Sequence, residues 1–493
     1  MNLTLLIIIP LLTAIGILFC RGLKQVRNLS LAGAAVQFGL ALYLLFEYWQ
    51  LQPGSSSPMM FEYSYTWFKT MGINYHVGVD GISIAMILLT AFVVLAGVLV
   101  SWKQEMMNRE YFFLLLLLSV GAYGFFISLD LFTLFFFLEV AVIPKFLLIG
   151  IWGSGKKEYS AMKLALMLMA GSALVFVGLA GIYFNTGSFD IMEIVKTPMP
   201  ITVQKFFFPF AFIGFGIFTA IFPFHTWVPD GHASAPTAAS MFLAGISMKL
   251  GGYGCLRVAT FLMPDAAHAY SWIIIVLATI AIIYGAFATM MQKDLKYINA
   301  YSSVSHCGFV LLGIGMLTQT AINGAVLQMV SHGLMTALFF AAIGMIYSRT
   351  HTRMVAQLGG LLKVTPFIST VFVIAGLCSL GLPGLSGFVA EMTIFMGSWQ
   401  NADGWYRLAT ILACASIVVT AVYILRATGK TVMGPMSSAY ATIGDATWNE
   451  KLAAGLLIAG IVIIGIAPFL INQLIAPGTE TIMQQLGRAI AFK

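Results

Sequence analysis

The chain has 493 residues, 60% of them hydrophobic and 9% charged, with 39 phenylalanines. Soluble globular domains carry roughly 25% charged residues, so this composition excludes them. The net charge of +7 follows from the topology derived below, and nothing in its distribution points to nucleic acid.

Apolar stretches of about 20 residues, each able to cross a hydrocarbon core of roughly 30 Å, recur along the whole length. Hydropathy predicts fourteen spans, near 3–20, 29–49, 79–101, 111–128, 131–151, 161–184, 206–226, 237–262, 270–291, 299–317, 320–347, 366–398, 407–429 and 452–472. The first lacks a basic n-region and a small-residue cleavage site, and reads as a retained helix. Loops are short; the longest, 50–78, contains Pro53-Gly-Ser-Ser-Ser-Pro58. The last stretch, 473–493, mixes Gln, Glu and Arg with apolar residues, as an interfacial helix does. The whole chain, 1–493, reads as one integral membrane domain of the all-α class.

Charge placement tests the count. With loops assigned alternately to two sides, sixteen of the 25 Lys and Arg, among them Arg21, Lys24, Lys156, Lys163, Lys296 and Arg353, fall on one side. Seven fall opposite, including Lys196, Arg257 and Lys493, and Lys145 and Lys249, within spans, are assigned to neither side. The basic excess marks the inner side, which places both termini outside. The five cysteines stand singly with no C-x-x-C pair, and no phosphate-cradling or dinucleotide glycine motif is present. No metal, iron–sulfur or nucleotide cofactor is expected on this chain.

Span 5 carries Glu139 in Phe135-Phe-Phe-Leu-Glu-Val-Ala-Val-Ile-Pro144. Burial and a movable cation act oppositely on a carboxylate's proton, so Glu139 could be a switch; a static ion pair between helices is the other reading. Span 7 is interrupted by Phe222-Pro-Phe-His-Thr-Trp-Val-Pro-Asp-Gly-His-Ala-Ser-Ala-Pro236. Irregular backbone at that depth is tolerated only inside protein or along a wet cavity. Lys249 follows in span 8, where a charge costs about 2.5–3.5 kcal/mol on insertion scales and so usually marks an ion path; a structural lysine is the alternative. A second interruption, Leu380-Gly-Leu-Pro-Gly-Leu-Ser-Gly-Phe-Val-Ala-Glu391, divides span 12. Broken helices at matching places in two halves are a signature of repeat-built transporters. His225, His306 and His332 could relay protons among these groups, or serve as packing residues. Two facing helical histidines can also hold a haem.

Four motifs carry a resemblance: His225-Thr-Trp-Val-Pro-Asp-Gly-His-Ala-Ser-Ala-Pro236, Val77-Gly-Val-Asp-Gly-Ile-Ser83, Tyr301-Ser-Ser-Val-Ser-His-Cys-Gly308 and Gly384-Leu-Ser-Gly-Phe-Val-Ala-Glu391. Together they resemble the antiporter-like proton-pumping subunits of respiratory complex I, of the subunit M type and similar to subunit 4 of the mitochondrial enzyme. The likeness runs nearly end to end. It implies fourteen helices, with spans 4–8 (111–262) and 9–13 (270–429) as two inverted five-helix repeats and spans 7 and 12 broken. It implies that Glu139 is the helix-5 glutamate, Lys249 the central helix-8 lysine and Glu391 the helix-12 glutamate near the outward exit. His225 and His232 then flank the helix-7 break, and His306 and His332 lie on helices 10 and 11. One departure stands out: where the family usually has a helix-7 lysine paired with the helix-5 glutamate, this chain has Phe218. Lys145, at a position where the family seldom has a lysine, is the candidate replacement, with His225 a second.

The implied function is proton translocation by a membrane-arm subunit of NADH:quinone oxidoreductase in the bacterial plasma membrane. Other subunits would hold FMN, iron–sulfur clusters and quinone, and would drive the relay; the neighbouring antiporter-like subunits would be its partners. The same motifs also fit a subunit of a multisubunit cation/proton antiporter, a ferredoxin- or hydrogenase-linked complex, or a structural subunit whose channel has lapsed.

Overall fold

The computed structural model describes residues 1–52 and 57–491. Residues 53–56 of the long loop, and Lys493, which was assigned to the outer side, lie outside the described residues. Helices occupy all fourteen expected spans. Spans 1 to 4 are Leu5–Leu18, Leu23–Leu51, Gly81–Val100 and Asn108–Ile127. Spans 5 and 6 are Leu131–Val140 with Val142–Trp152, and Lys157–Thr186. Span 7 is divided into Ile201–Thr219 and Trp227–Ser234. Spans 9, 10 and 11 are Pro264–Met290, Leu295–Gly315 and Gln319–Thr350. Span 12 is Pro366–Ser379 and Ser386–Trp399, and spans 13 and 14 are Gly404–Thr431 and Trp448–Ile466.

Span 8 is unusual. Its α-helical pieces, Thr237–Phe242 and Met248–Gly254, alternate with π-helical turns at Leu243–Ser247 and Cys255–Thr260. Such π turns are rare and often sit at functional sites. Among the described residues, ten helices are long and apolar enough to cross a bilayer unaided. Spans 1, 8, 10 and 12 are not among them, and the reasons are physical. Span 1 is only 14 residues long, while spans 8 and 12 are subdivided. Span 10 carries Asn299, Ser302, Ser303, Ser305 and His306, all buried. Three of these four exceptions hold Lys249, His306 and Glu391.

Contacts at the helix ends sort the loops into two sets, as the alternation requires. Loops after odd-numbered spans meet one another through Ser154 N to Ser234 O at 2.8 Å, Leu295 N to Arg353 O at 3.0 Å and Leu362 N to Val432 O at 3.0 Å. Those after even-numbered spans meet through Leu129 N to His76 O and Ile191 N to Leu129 O, both 2.8 Å. Thr318 Oγ1 donates to Gly397 O at 2.9 Å in the same set.

The loop after span 2 holds an antiparallel hairpin that hydropathy did not anticipate, β1 Met60–Phe68 and β2 Ile73–Val79. Strand β2 runs into Asp80, whose Oδ1 accepts Ser83 N and caps span 3. The same Asp80 pairs with Arg257 at the far end of span 8. Arg257 is therefore a buried partner of another helix and not a loop cation, and Lys296 is likewise buried, donating to Ala235 O at 2.6 Å. The last helix, Pro468–Ala491, packs on spans 3, 9 and 11 through Leu474, Ile475, Ile482 and Leu486.

Candidate functional site

Two buried clusters of ionisable groups lie inside the bundle. The larger is built on spans 8, 10, 11 and 12. Spans 8 and 11 cross glycine to glycine: a Cβ on Gly333 would lie 2.8 Å from Gly245 O. That crossing brings Lys249 against His332, whose Nδ1 is 2.8 Å from Lys249 Nζ. Lys249 Nζ also donates to Ala244 O in the preceding π turn, where the altered register turns a carbonyl towards the ammonium.

His332 and His306 follow, with ring centroids 5.3 Å apart and planes at 31°. His306 Nδ1 lies 3.4 Å from Glu391 Oε1 and 3.3 Å from Gln328 Nε2, and His306 Nε2 lies 3.0 Å from Ser379 Oγ. Each tautomer has a distinct use. With the proton on Nδ1 the ring carries it within ion-pair reach of Glu391 and accepts from Ser379; with it on Nε2 it donates to Ser379 and accepts from Gln328. Both ring nitrogens of His306 are thus engaged by protein, which speaks against the haem reading, while His332 Nε2 has no hydrogen-bond partner among the described residues. Among the described residues no group of three His, Cys, Asp or Glu is placed to hold a metal ion.

The break in span 12 sets the position of Glu391. Gly381 has φ +74°, and a Cβ there would lie 2.7 Å from Glu391 Oε2. The φ favours glycine, because an L side chain is strained there, and a Cβ would also push the Glu391 carboxylate aside. Beyond Ser379 the hydroxyls continue to Ser302 at 3.5 Å and Tyr423 at 3.2 Å.

The smaller cluster surrounds Glu139. Pro144 has no N–H to offer the carbonyl of Val140, and its ring crowds that carbonyl; the helix breaks at Ala141. Glu139 Oε1 accepts from Ser172 Oγ of span 6. Lys145 is 1% exposed, and its Nζ has no hydrogen-bond partner among the described residues. The ammonium lies 5.9 Å from the centroid of the Phe218 ring. Glu139 and Lys145, six residues apart on the divided helix, form no hydrogen-bonded pair in this structure.

The remaining histidines join neither string. His225 is stacked on Phe222, with centroids 5.6 Å apart, and meets Tyr284 edge-on at 4.8 Å. His232 stacks on Phe340 at 5.0 Å, and neither of its nitrogens has a hydrogen-bond partner among the described residues. Phe340 is eight residues beyond His332 on span 11, or about 12 Å at 1.5 Å per residue. Between His232 and the odd-loop surface, Lys296 and Arg353 donate to Ala235 O and Ala233 O, satisfying the carbonyl end of the short Trp227–Ser234 helix.

Sequence reasoning did not identify Gln328, Ser379, Ser172 or the Asp80–Arg257 pair. Gln328 was within reach, since it stands four residues before His332 and so on the same helix face. Ser379 and Ser172 carried no local signal.

Residues 128–418 match the family described as NADH:quinone oxidoreductase/Mrp antiporter, TM. NADH-quinone oxidoreductase subunit M of Rhodobacter capsulatus is 34% identical over 475 residues, covering 94% of this chain and 91% of that protein. NAD(P)H-quinone oxidoreductase chain 4 1 of a Synechococcus strain is 35% identical over 497 residues, covering 99% and 94%. Respiratory complex I from Thermus thermophilus with bound NADH contains a chain that superposes with a TM-score of 0.90 at 25% identity, covering 98% of this chain and all of that one. The matched family, the two full-length relatives and the shared fold agree: the chain belongs to the antiporter-like membrane subunits, of subunit M or chain 4 type, of NADH:quinone oxidoreductases.

Proposed function

We propose that this subunit translocates protons across the bacterial plasma membrane, driven by quinone reduction in other subunits of an NADH:quinone oxidoreductase. The observation that carries the reading is the buried string Lys249–His332–His306–Glu391. Lys249 Nζ and His332 Nδ1 are hydrogen-bonded at 2.8 Å at one end, His306 Nδ1 and Glu391 Oε1 make an ion-pair contact at 3.4 Å at the other, and the two imidazoles between are in ring contact. Titratable groups so close, in a region where each charge carries an insertion cost, are what a proton path requires.

The step is a simple exchange. A proton leaves Lys249 Nζ for His332 Nδ1, the imidazolium passes a proton towards His306, and His306 Nδ1 hands one to Glu391. Glu391 is eight residues, about 12 Å, from the even-loop end of its helix, so this direction is outward if the basic-rich odd-loop side faces the cytoplasm. His232 and the Lys296–Ala235 contact lie on the uptake side in this scheme. Glu139 biases Lys249 through its own charge state. We further propose that spans 4–8 (111–262) and 9–13 (270–429) are repeats related by inversion. The breaks in spans 7 and 12, each the fourth helix of its unit, support this. Neighbouring antiporter-like subunits would be the partners, and FMN, iron–sulfur clusters and quinone would reside elsewhere in the assembly.

The test is proton translocation per electron pair in vesicles carrying the assembled complex, comparing wild type with Lys249→Met and Glu391→Gln. Assembly on blue-native gels with at least tenfold slower proton delivery is expected for both. An unchanged ratio at full quinone reduction would make this chain scaffold.

A further inference from the structure

Lys145 is a fully buried ammonium that the relay above does not use. It is 1% exposed, has no hydrogen-bond partner among the described residues, and lies over the face of Phe218. An unpaired buried ammonium is costly, so its position calls for a compensating attraction. Two are present. The Phe218 ring lies within cation–π range. Phe218 also sits in the last turn of Ile201–Thr219, where the partial negative charge of a helix C-terminus collects.

A third attraction is in reach. Glu139 lies six residues before Lys145 on the same divided helix. On an unbroken helix, six residues would put the two side chains about 240° apart. The break at Ala141 relaxes that constraint. Glu139 faces span 6 through Ser172, and Lys145 faces span 7 through Phe218. Those two spans touch through small residues next to both contacts: a Cβ on Gly171 would lie 3.1 Å from Gly214 O and 3.2 Å from Ile217 Cβ. Carboxylate and ammonium therefore flank one crossing point.

We propose that Lys145 is the positioning cation of this region: its ammonium is the movable partner of Glu139, resting over Phe218 in this state and carried on the same broken helix as the carboxylate. The role rests on the translocation reading above. Pairing and unpairing then need a rotation of Val142–Trp152 about Ala141, with span 7 as a fixed platform. Lys145 acts through Glu139 on Lys249 and touches no transferred proton.

The experiment moves the charge. Lys145→Met, Lys145→Arg, Phe218→Lys with Lys145→Met, and Lys249→Met are compared in vesicles for protons per electron pair, each normalised to assembled complex. Lys145→Met should lower proton delivery at least fivefold with assembly retained. Lys145→Arg should keep at least half of the wild-type value. The double variant, with the ammonium returned to the place Lys145 now occupies, should recover at least half. Wild-type pumping in Lys145→Met, or a double variant no better than Lys145→Met, overturns the proposal. If Lys145→Met fails to assemble, the double variant decides alone: assembly with pumping supports the role and continued failure overturns it. Lys249→Met separates the two readings. If it is impaired while Lys145→Met is not, only this inference falls; if it pumps normally, translocation through this chain falls and the inference with it.

Discussion

The two buried clusters differ in how their polar groups are satisfied. Around Glu391, hydrogen-bonding distances run from Lys249 to His332 and from Glu391 through His306 and Ser379 to Tyr423. Around Glu139, one hydroxyl holds the carboxylate and Lys145 Nζ has no hydrogen-bond partner among the described residues, whereas the larger cluster leaves only His332 Nε2 and Gln328 Oε1 unpartnered among its many bonded groups. A connected string can pass a proton with little movement. Isolated buried groups cannot, and each carries about 1–3 kcal/mol of unmet desolvation. They are suited to a region that responds to fields and changes its contacts. In the proposed scheme the dense cluster conducts and the sparse one switches.

Breaking the dense cluster should give the largest effect. Gly381→Val places a β-branched residue at φ +74° and a Cβ 2.7 Å from Glu391 Oε2. Displacing Glu391 from His306 is expected to cut proton delivery more than tenfold in assembled complex. Gly404→Ala, with no heavy atom within 4 Å of the added carbon, should pump as wild type, which controls for generic glycine loss.

The sparse cluster gives the next effect. Ser172→Ala removes the hydroxyl that donates to Glu139. A hydrogen bond to a charged group contributes about 1.5–3 kcal/mol, so the switch should be biased by roughly tenfold or more. The expected outcome is a changed ratio of protons to electrons, with NADH oxidation retained. Ser379→Ala removes a neutral partner of His306 at 3.0 Å; at about 1 kcal/mol it should slow pumping about fivefold. If Ser172→Ala leaves the ratio of protons to electrons at its wild-type value, the sparse cluster is not the switch.

The helices and their two great interruptions were legible because membrane crossing needs long apolar runs, and because Pro and Gly at 223, 229, 236, 381, 383 and 384 cannot sit quietly inside them. The break at Ala141 was half legible: Pro144 was noted, but a single proline is compatible with a kink or a division. The π turns in span 8 were not legible at all, since no residue type dictates that register. The hairpin was hidden by its composition. Tyr63, Tyr65 and Trp67 alternate with polar residues, but they lie in a loop where hydropathy alone gives no register. The buried ionisable residues stood out as individuals. Their neighbours did not, because Gln328, Ser172 and Ser379 acquire meaning only when three or four helices meet.

The hairpin connects the two clusters, and its clamp supplies the smallest predicted effect. Strand β2 reaches the sparse cluster through Asn74 N, which donates at 3.0 Å to Asp130, the cap of the Glu139 helix. It reaches the dense one through Asp80, the partner of Arg257 on the Lys249 helix. Its side chain His76 fastens it, with Nδ1 2.5 Å from Asp190 Oδ2 and Nε2 3.5 Å from Glu62 Oε2. The hydrogen bond that His76 donates to Asp190, with the charges of Asp190 and Glu62, outweighs burial and raises His76 above its ordinary 6.5. Burial pushes the Asp190 carboxyl up, but the hydrogen bond and charge of His76 prevail and hold it below its ordinary 3.8. The raised His76 contributes stability that is complete below about pH 6.5 and is lost as pH climbs through its folded value. The lowered Asp190 contributes stability above about pH 4, lost as pH falls through its own folded value. The clamp is therefore tightest between these limits and loosens on the alkaline side. Hydrogen exchange across Ile73–Val79, corrected for intrinsic rates, should show protection falling from about pH 6 to about pH 9. Asp190→Asn should flatten that dependence. A wild-type strand equally protected at both pH values would leave the backbone bond from Leu129 N to His76 O, and not the ion pair, as what fastens the hairpin to both clusters.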